Sequence, residues 1–536
     1  MSTLDYIWLG ILAVFQGPEL FSVAGLPVSI TLVMILAGFL IGIMVGATPG
    51  LAGPVAMAIS LPILISVFGY TPSALLPVMG FLVGVMKGAT VGGAVPAILF
   101  NTPGTPDAYM TTLDGYPMSR RGQAGKALRI AHFSSVSGDS FSDMVLFVCA
   151  PFLAILVERY LDLPEKTALL ILSLSFIAAV IGGSPAKGLI SAGLGLLAVY
   201  VGTGEDFYPR LSMGLPVLNQ GLPITTAVLG VLIIGAVFKE LDELWQLKRA
   251  NSELAASRHV GDQRLHFADL RRLFPYIARS SVVGTMIGAL PGIGSTLAAT
   301  IGYTLGQRRY DRQRKANEPG FGDGVPEGIA ATEAANSSVS GANLIPVLSL
   351  GIPGNAAAVF LILAAESIGG FNPGPAVFKF TQDAVNPELV IAFGLFTAMV
   401  IANLLNWTIG GVFMRSMGIM IRVPKQVLLP VVLLLTLTAI YVQDPRFEVL
   451  WFALAFGVLG YLMRVLAISP LPFVIAFILG DKLEQSARQA FSASGNDPYF
   501  LLTNPIAAVF MAAAVGVVIY ASRSGSAKSH EQTRHP

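Results

Sequence analysis

Four short stretches of this chain set proline, glycine and small hydroxyl or amide side chains inside apolar sequence. Thr48-Pro49-Gly50 lies in GATPGLAGPVAMAI, and Pro291-Gly292 lies in GALPGIGSTLAATI with Ser295 and Thr296 just beyond. Asn101-Thr102-Pro103-Gly104 lies in PAILFNTPGTP, and Pro353-Gly354-Asn355 lies in PVLSLGIPGNA. Proline removes a backbone donor and clashes with the preceding turn, and glycine permits positive φ. A helix interrupted there and restarted presents free N–H groups and the positive end of its dipole, which attract a carboxylate. Hydroxyls such as those of Ser295 and Thr296 suit donation to an anion or coordination of a cation. One such stretch alone reads as a proline kink or a plain surface turn. Here the phrases return in the same order, from Gly46 and again from Gly288, then from Pro96 and again from Pro346. Glycine and proline at matching points of two hydrophobic halves point to the binding site of a secondary transporter.

Other polar groups stand near these stretches. In EGIAATEAANSS, Glu333 and Asn336 share a helix face, with Ser337 beside them. An acid inside a bilayer is costly and rarely idle. One reading of Glu327 and Glu333 is a proton or cation relay, with Glu333, Asn336 and Ser337 holding the coupling ion. The other is a solvated helix start on the cytoplasmic side. Lys87 is an isolated charge in a long apolar run. It could neutralise a carboxylate, pair with a buried acid, or snorkel to an interface. Asp139 and Asp143 are four apart and face one way, suiting a cation or a polar helix contact. His132, at the end of a basic amphipathic loop, reads as interfacial.

The elements that position these groups are membrane helices. Hydrophobic residues make up 54% of the 536 and charged residues only 12%, and mean hydropathy is +0.71; soluble domains carry about 25% charged residues. Apolar segments run over 28–46, 51–69, 74–100, 133–157, 166–182, 186–201 and 221–240, then 278–305, 339–368, 388–413, 427–442, 447–467, 470–480 and 502–521. At about 20 residues per crossing these predict an all-α polytopic membrane protein of roughly 10–14 membrane segments. Residues 1–240 form a first half, 241–277 a cytoplasmic linker, 278–522 a second half and 523–536 a polar tail. The opening MSTLDYIWLGILAVFQG reads as a short membrane or interfacial helix, not a removed signal.

Basic clusters orient the spans: Arg120, Arg121, Lys126 and Arg129; the stretch from Lys248 to Arg272; Arg308 to Lys315; and Arg415, Arg422 and Lys425. By the positive-inside rule all four face the cytoplasm. The connection after the first Pro-Gly segment, around Tyr70, is uncharged and one span from the Arg120 cluster, so it lies outside. Its counterpart in the second half is the Arg308 cluster, which lies inside. Corresponding loops on opposite sides predict two inverted-topology repeats with broken helices or hairpins near the bilayer midplane.

Several function classes are disfavoured. A net charge of +2 leaves no footprint for nucleic acid. One cysteine, Cys149, excludes a disulfide within the chain. No G-x-x-x-x-G-K-[ST], H-E-x-x-H, C-x-x-C or G-x-S-x-G occurs, so ATP-driven, metal-site and hydrolase signatures are missing and no enzyme is expected.

The phrases GATPGLAGPVAMAISLP from Gly46, NTPGTPDA from Asn101 and EGIAATEAANSSVSGANLIPVLSLGIPG from Glu327 closely resemble the large membrane subunit of the tripartite tricarboxylate transporters. The resemblance covers nearly the full length. It implies the translocation pathway for organic anions such as citrate, moved inward across the bacterial inner membrane by an ion gradient. It also implies two partners, a small membrane subunit of about four helices and a periplasmic solute-binding protein. No cofactor beyond a coupling cation, Na⁺ or H⁺, is expected. The family usually carries an Asn-rich run where this chain has Asn336-Ser337-Ser338, and favours G-G-x-L-I-P where it has Gly341-Ala342-Asn343-Leu344-Ile345-Pro346. These departures bear on substrate or ion preference and leave the fold assignment intact.

The resulting expectation is alternating access around a midplane site, with an elevator-like movement of the substrate-binding core. An ion channel or passive anion pore is the rival reading, since paired broken helices can line pores too.

Overall fold

In the computed structural model the described residues are 3–23, 26–48, 52–180, 184–203, 209–212, 214, 216–219, 221–247, 265–290, 294–314, 318–379, 385–416 and 425–532. In chain order the helices begin α1 Thr3–Phe15, α2 Ile30–Gly46, α3 Gly53–Phe68, α4 Pro72–Gly92, α5 Ala94–Phe100, α6 Tyr109–Arg120 and α7 Ala124–Tyr160. They continue with α8 Leu163–Val180, α9 Pro185–Val199, α10 Ile224–Leu229, α11 Gly235–Leu247, α12 Phe267–Gly288, α13 Ser295–Asp311, α14 Pro326–Ala342, α15 Leu344–Leu350 and α16 Ala356–Ile368. The last are α17 Pro387–Leu405, α18 Gly411–Ser416, α19 Lys425–Gln443, α20 Phe447–Val465, α21 Leu471–Ala493, α22 Phe500–Thr503 and α23 Pro505–Gln532. Two small antiparallel pairs, Glu19–Val23 with Leu26–Ser29 and Gly202–Thr203 with Pro209–Arg210, are the β-structure among the described residues. Proline within the first two positions of α3, α4, α9, α14 and α17 starts these helices where its missing N–H costs nothing.

Six helical stretches among the described residues are long and apolar enough to cross a membrane: 72–100, 124–160, 224–244, 387–414, 447–465 and 505–523. Shorter apolar helices include α2, α3 and α16. The predicted 339–368 segment is not one helix: α14, α15 and α16 divide it. The predicted polar tail from 523 continues α23 as far as Gln532. The protein is therefore all-α and multi-pass.

The chain divides into two compact units, 1–155 with 249–290 and 294–425, and 156–248 with 291–293 and 426–536. Each takes chain from both halves read from the sequence.

In the first unit, α2 lies along α4 through facing glycines. A Cβ on Gly38, Gly42 or Gly46 would fall 2.1, 2.5 or 2.2 Å from the carbonyl oxygens of Phe81, Val85 and Ala89. In return, a Cβ on Gly84, Gly88 or Gly92 would fall 2.4, 2.2 or 2.4 Å from those of Ile35, Phe39 and Ile43. Small residues four apart let two backbones touch, the usual solution where lipid offers no hydrophobic drive. The same contact recurs between α12 and α14. A Cβ on Gly284 would fall 2.2 Å from the Ala335 carbonyl oxygen, and one on Gly288 would fall 2.9 Å from the Val339 Cα. These pairs match Gly42 with Val85 and Gly46 with Ala89 in register. Helix α7 turns Met144, Val148 and Phe152, each 68% exposed, to one outward face suited to lipid.

In the second unit, α8 packs on α21 and α23, and α9 on α21. A π-type turn at Gly230–Ile234 links α10 and α11. Arg464 on α20 donates to the carbonyls of Val231 and Leu232, both at 2.8 Å, and supplies donors where that turn loosens the helix ladder.

Candidate functional site

The two Pro-Gly turns of the first unit share one backbone design. Helix α5 ends at Asn101 in the left-handed region (φ 54, ψ 27), and α15 ends at Gly351 in the same region (φ 73, ψ 21). The next amide folds back in each: Thr102 N–H to the Pro96 carbonyl at 3.3 Å, and Ile352 N–H to the Pro346 carbonyl at 3.2 Å. Asn101 therefore corresponds to Gly351, and Thr105 to Asn355. The paired asparagines flanking Pro-Gly in the sequence are not equivalent positions.

Each turn docks on the junction between the two helices before it. The Gly104 N–H reaches the Gly93 carbonyl at 3.3 Å. A Cβ on Gly104 would fall 2.2 Å from the Gly46 carbonyl, so this turn touches the end of α2. A Cβ on Gly354 would fall 2.8 Å from Asn343 Oδ1. Pro353 and Gly354 are buried, whereas Asn101 and Thr102 are exposed and Pro103 half-buried. The Asn355 side-chain Oδ1 is committed to capping α16, accepting from the Ala358 N–H at 2.9 Å. Thr48, half-buried, donates to the Met44 carbonyl at 2.9 Å. Ser295 is half-buried at the start of α13. Pro49, Gly50, Pro291 and Gly292 lie outside the described residues.

The elements that follow the two turns pack reciprocally. Helix α6, which follows the first turn, packs on α14, and α16, which follows the second, packs on α4. Thr296 at the start of α13 donates to Asp107, just past the first turn, at 2.6 Å. Helix α3 packs on α16.

Helix α14 carries the densest buried polar chemistry. Glu333 is 0% exposed and accepts from the hydroxyls of Thr111 on α6 and Ser135 on α7, the latter at 2.8 Å. Glu327 is 1% exposed and pairs with Arg272. Neither acid is a solvated helix start. Thr332, Asn336 and Asn343 stand on one face of the helix at i, i+4 and i+11. The Thr332 Oγ1, Asn336 Oδ1, Ser337 Oγ and both Asn343 amide atoms are buried without a hydrogen-bond partner in the protein. Buried polar groups are nearly always paired, so a run of five such atoms marks a surface built to receive polar partners. Asn343, Thr111 and Ser135 escaped sequence reading. Only Asn343 carried a signal, since it occupies the register of Gly93.

Lys87 does not snorkel. It is 0% exposed and bonds Asp139 Oδ1 at 2.8 Å and Asp143 Oδ2 at 2.7 Å, so the two acids do face one way. His132 is half-buried, with Nε2 3.0 Å from the Asn406 carbonyl.

The predicted cytoplasmic end is held by Asp114 of α6. One carboxylate oxygen accepts from the amides of Gly322, Gly324 and Val325 at 3.0, 2.9 and 2.8 Å, fixing the loop that enters α14. Burial pushes this carboxyl up from its ordinary range, against the opposing pull of the amides and the Tyr303 hydroxyl. Nearby, Arg271, Arg272, Arg309 and Arg314 line a cleft of ≈ 360 Å³ with Glu318 and Glu327.

Sequence comparison finds relatives along nearly the whole chain. The chain is 31% identical over 509 residues to an uncharacterized 52.8 kDa protein in the TAR-I ttuC' 3'region of Agrobacterium vitis, covering 94% of each. It is 30% identical over 243 residues to an uncharacterized protein in the TAR-II ttuC' 3'region of the same organism, covering 44% of this chain and 93% of the relative. No solved structure matches it. Residues 32–475 match the model of the Tripartite tricarboxylate transporter TctA family. That match spans both turns, both glycine contacts and the whole of α14. With the motifs, the multi-pass fold and the family model in agreement, the chain belongs to the TctA family of tripartite tricarboxylate transporters.

Proposed function

We propose that this transporter subunit is the translocation pathway for organic di- and tricarboxylates. It works inward across the bacterial inner membrane, driven by a Na⁺ or H⁺ gradient. A periplasmic solute-binding protein feeds it, and a small membrane subunit completes the complex. The two halves, 1–240 and 278–522, are inverted repeats joined by the 241–277 linker. Their broken segments meet in one midplane site, and an elevator-like shift of that core gives alternating access. The starts of α3 and α13 and the turns at 101–104 and 353–355 hold substrate carboxylates. Glu333, Asn336 and Ser337 hold the coupling ion.

The reciprocal packing of α6 on α14 and α16 on α4 supports this reading most strongly. Two copies that exchange equivalent helices are related by an approximate two-fold. A two-fold axis in the membrane plane is what opposite loop orientations require.

Reconstitution with both partner subunits tests the proposal. Labelled citrate and a panel of other carboxylates are offered under separate Na⁺ and proton gradients. Gradient-driven accumulation, with entry accelerated by preloaded substrate, is expected. Flux without that acceleration would make the chain a pore. No flux of any carboxylate under either gradient would end the reading.

A further inference from the structure

The Lys87 cluster is not used by the transport scheme above, and its charges do not balance. One ammonium faces two carboxylates, with Lys87, Asp139 and Asp143 0%, 3% and 2% exposed. Ser340 of α14 donates to Asp139 Oδ1, which also receives Lys87. Asn403 of α17 donates to Asp143 Oδ2 at 2.7 Å, beside the Lys87 bond. Asp143 Oδ1 and Asn403 Oδ1 remain buried without a partner.

Among the described residues no second cation pairs with Asp139 or Asp143. Helices α2, α3 and α5 carry no charged residue, α14 carries only Glu327 and Glu333, α16 only Glu366 and α17 only Glu388. On α7 itself, Lys126 pairs with Asp269, Arg129 lies ten residues before Asp139, and His132 meets Asn406. A net buried carboxylate in a membrane interior is expensive. A metal cation entering here would find two bare oxygens and an ammonium beside them. A proton needs only one bare oxygen. Added to Asp143 Oδ1, it cancels the excess charge and turns an unpartnered acceptor into a donor.

We propose that the Lys87–Asp139–Asp143 cluster binds and releases one proton in each transport cycle, in addition to the ion held around Glu333, with Asp143 Oδ1 as the acceptor atom. The proton arrives from water on one side of the membrane and leaves to water on the other. No electrons move and no other bond changes. The coupling role rests on the transport reading, whereas protonation of the cluster does not.

The test compares the wild type with Asp143→Asn and Asp139→Asn, each co-reconstituted with the partner subunits. Either substitution leaves one carboxylate for one ammonium, so neither variant needs the proton. Both should keep labelled-citrate counterflow, while accumulation driven by a pH gradient falls by about tenfold or more, the range of ordinary coupling free energies. Wild-type-like pH-driven accumulation in either variant overturns the proposal, as does wild-type accumulation driven by Na⁺ alone. Infrared difference spectra of the purified wild-type protein against each variant supply a second readout. The protonated-carboxyl band should be weaker in both variants, and an unchanged band overturns the assignment even if citrate is not carried. Absence of all carboxylate flux in the wild type, with the band difference present, would remove the transport reading and leave the proton site.

Discussion

Ser135 on α7 donates a 2.8 Å hydrogen bond to Glu333 on α14, and Thr111 on α6 donates to the other carboxylate oxygen. Three helices thus meet at one buried acid. Glu333→Gln keeps one acceptor oxygen and puts a donating amide in place of the other, which a hydroxyl can rotate to accept. Glu333→Ala strands both hydroxyls at about 1–3 kcal/mol each. The glutamine variant should therefore reach the membrane at wild-type levels and lose gradient-driven uptake. The alanine variant should also lose yield and thermal stability. Equal uptake by Glu333→Gln and wild type would remove Glu333 from coupling.

The glycine contacts set a steric prediction. A side chain at Gly42 or Gly88 runs into backbone, at 2.5 Å from Val85 O and 2.2 Å from Phe39 O. Leucine at either should cost about 3 kcal/mol and lower the melting temperature of the purified protein. Gly193→Ala, in the interior of α9, meets nothing within 4 Å and should leave melting unchanged or slightly higher.

The left-handed turn ends differ in what they tolerate. Asn101→Gly should be nearly silent, because both residues accept that conformation. Gly351→Val forces a β-branched residue into it, costing about 1–2 kcal/mol from the backbone alone. Its Cβ would also fall 2.6 Å from the Pro373 carbonyl. Thermal melting of both variants, side by side, checks the contrast.

Asp114 predicts a local effect. Asp114→Ala leaves the amides of Gly322, Gly324 and Val325 without their shared acceptor. Hydrogen exchange at 322–325 should accelerate while α2 and α4 stay protected. Unchanged exchange there would show that other contacts hold the loop.

The repeated turns were legible because proline and glycine leave a local mark that survives divergence. Their register was not, since Asn101 and Asn355 look alike in one dimension and occupy different positions of the turn. Asp139 and Asp143 announced a shared face by spacing, and Lys87 announced itself as a lone charge. Their union depends on α4 meeting α7, a contact with no trace in sequence spacing. Glu333 read equally as solvated or buried, because burial here comes from α6 and α7, distant in sequence. Thr111 and Ser135 are ordinary hydroxyl residues until an acid is placed beside them. The compact units draw on both sequence halves for the same reason: long-range helix packing, not chain order, decides which segments share a core.

At Gly38, Gly42, Gly46, Gly84, Gly88 and Gly92 the backbones of α2 and α4 touch with no side chain between them, leaving little room for either helix to slide. The pair must behave as a single stiff strut, its end beside the Gly104 turn. Under the proposed alternating access, the stroke is absorbed at the strut's joints rather than within it.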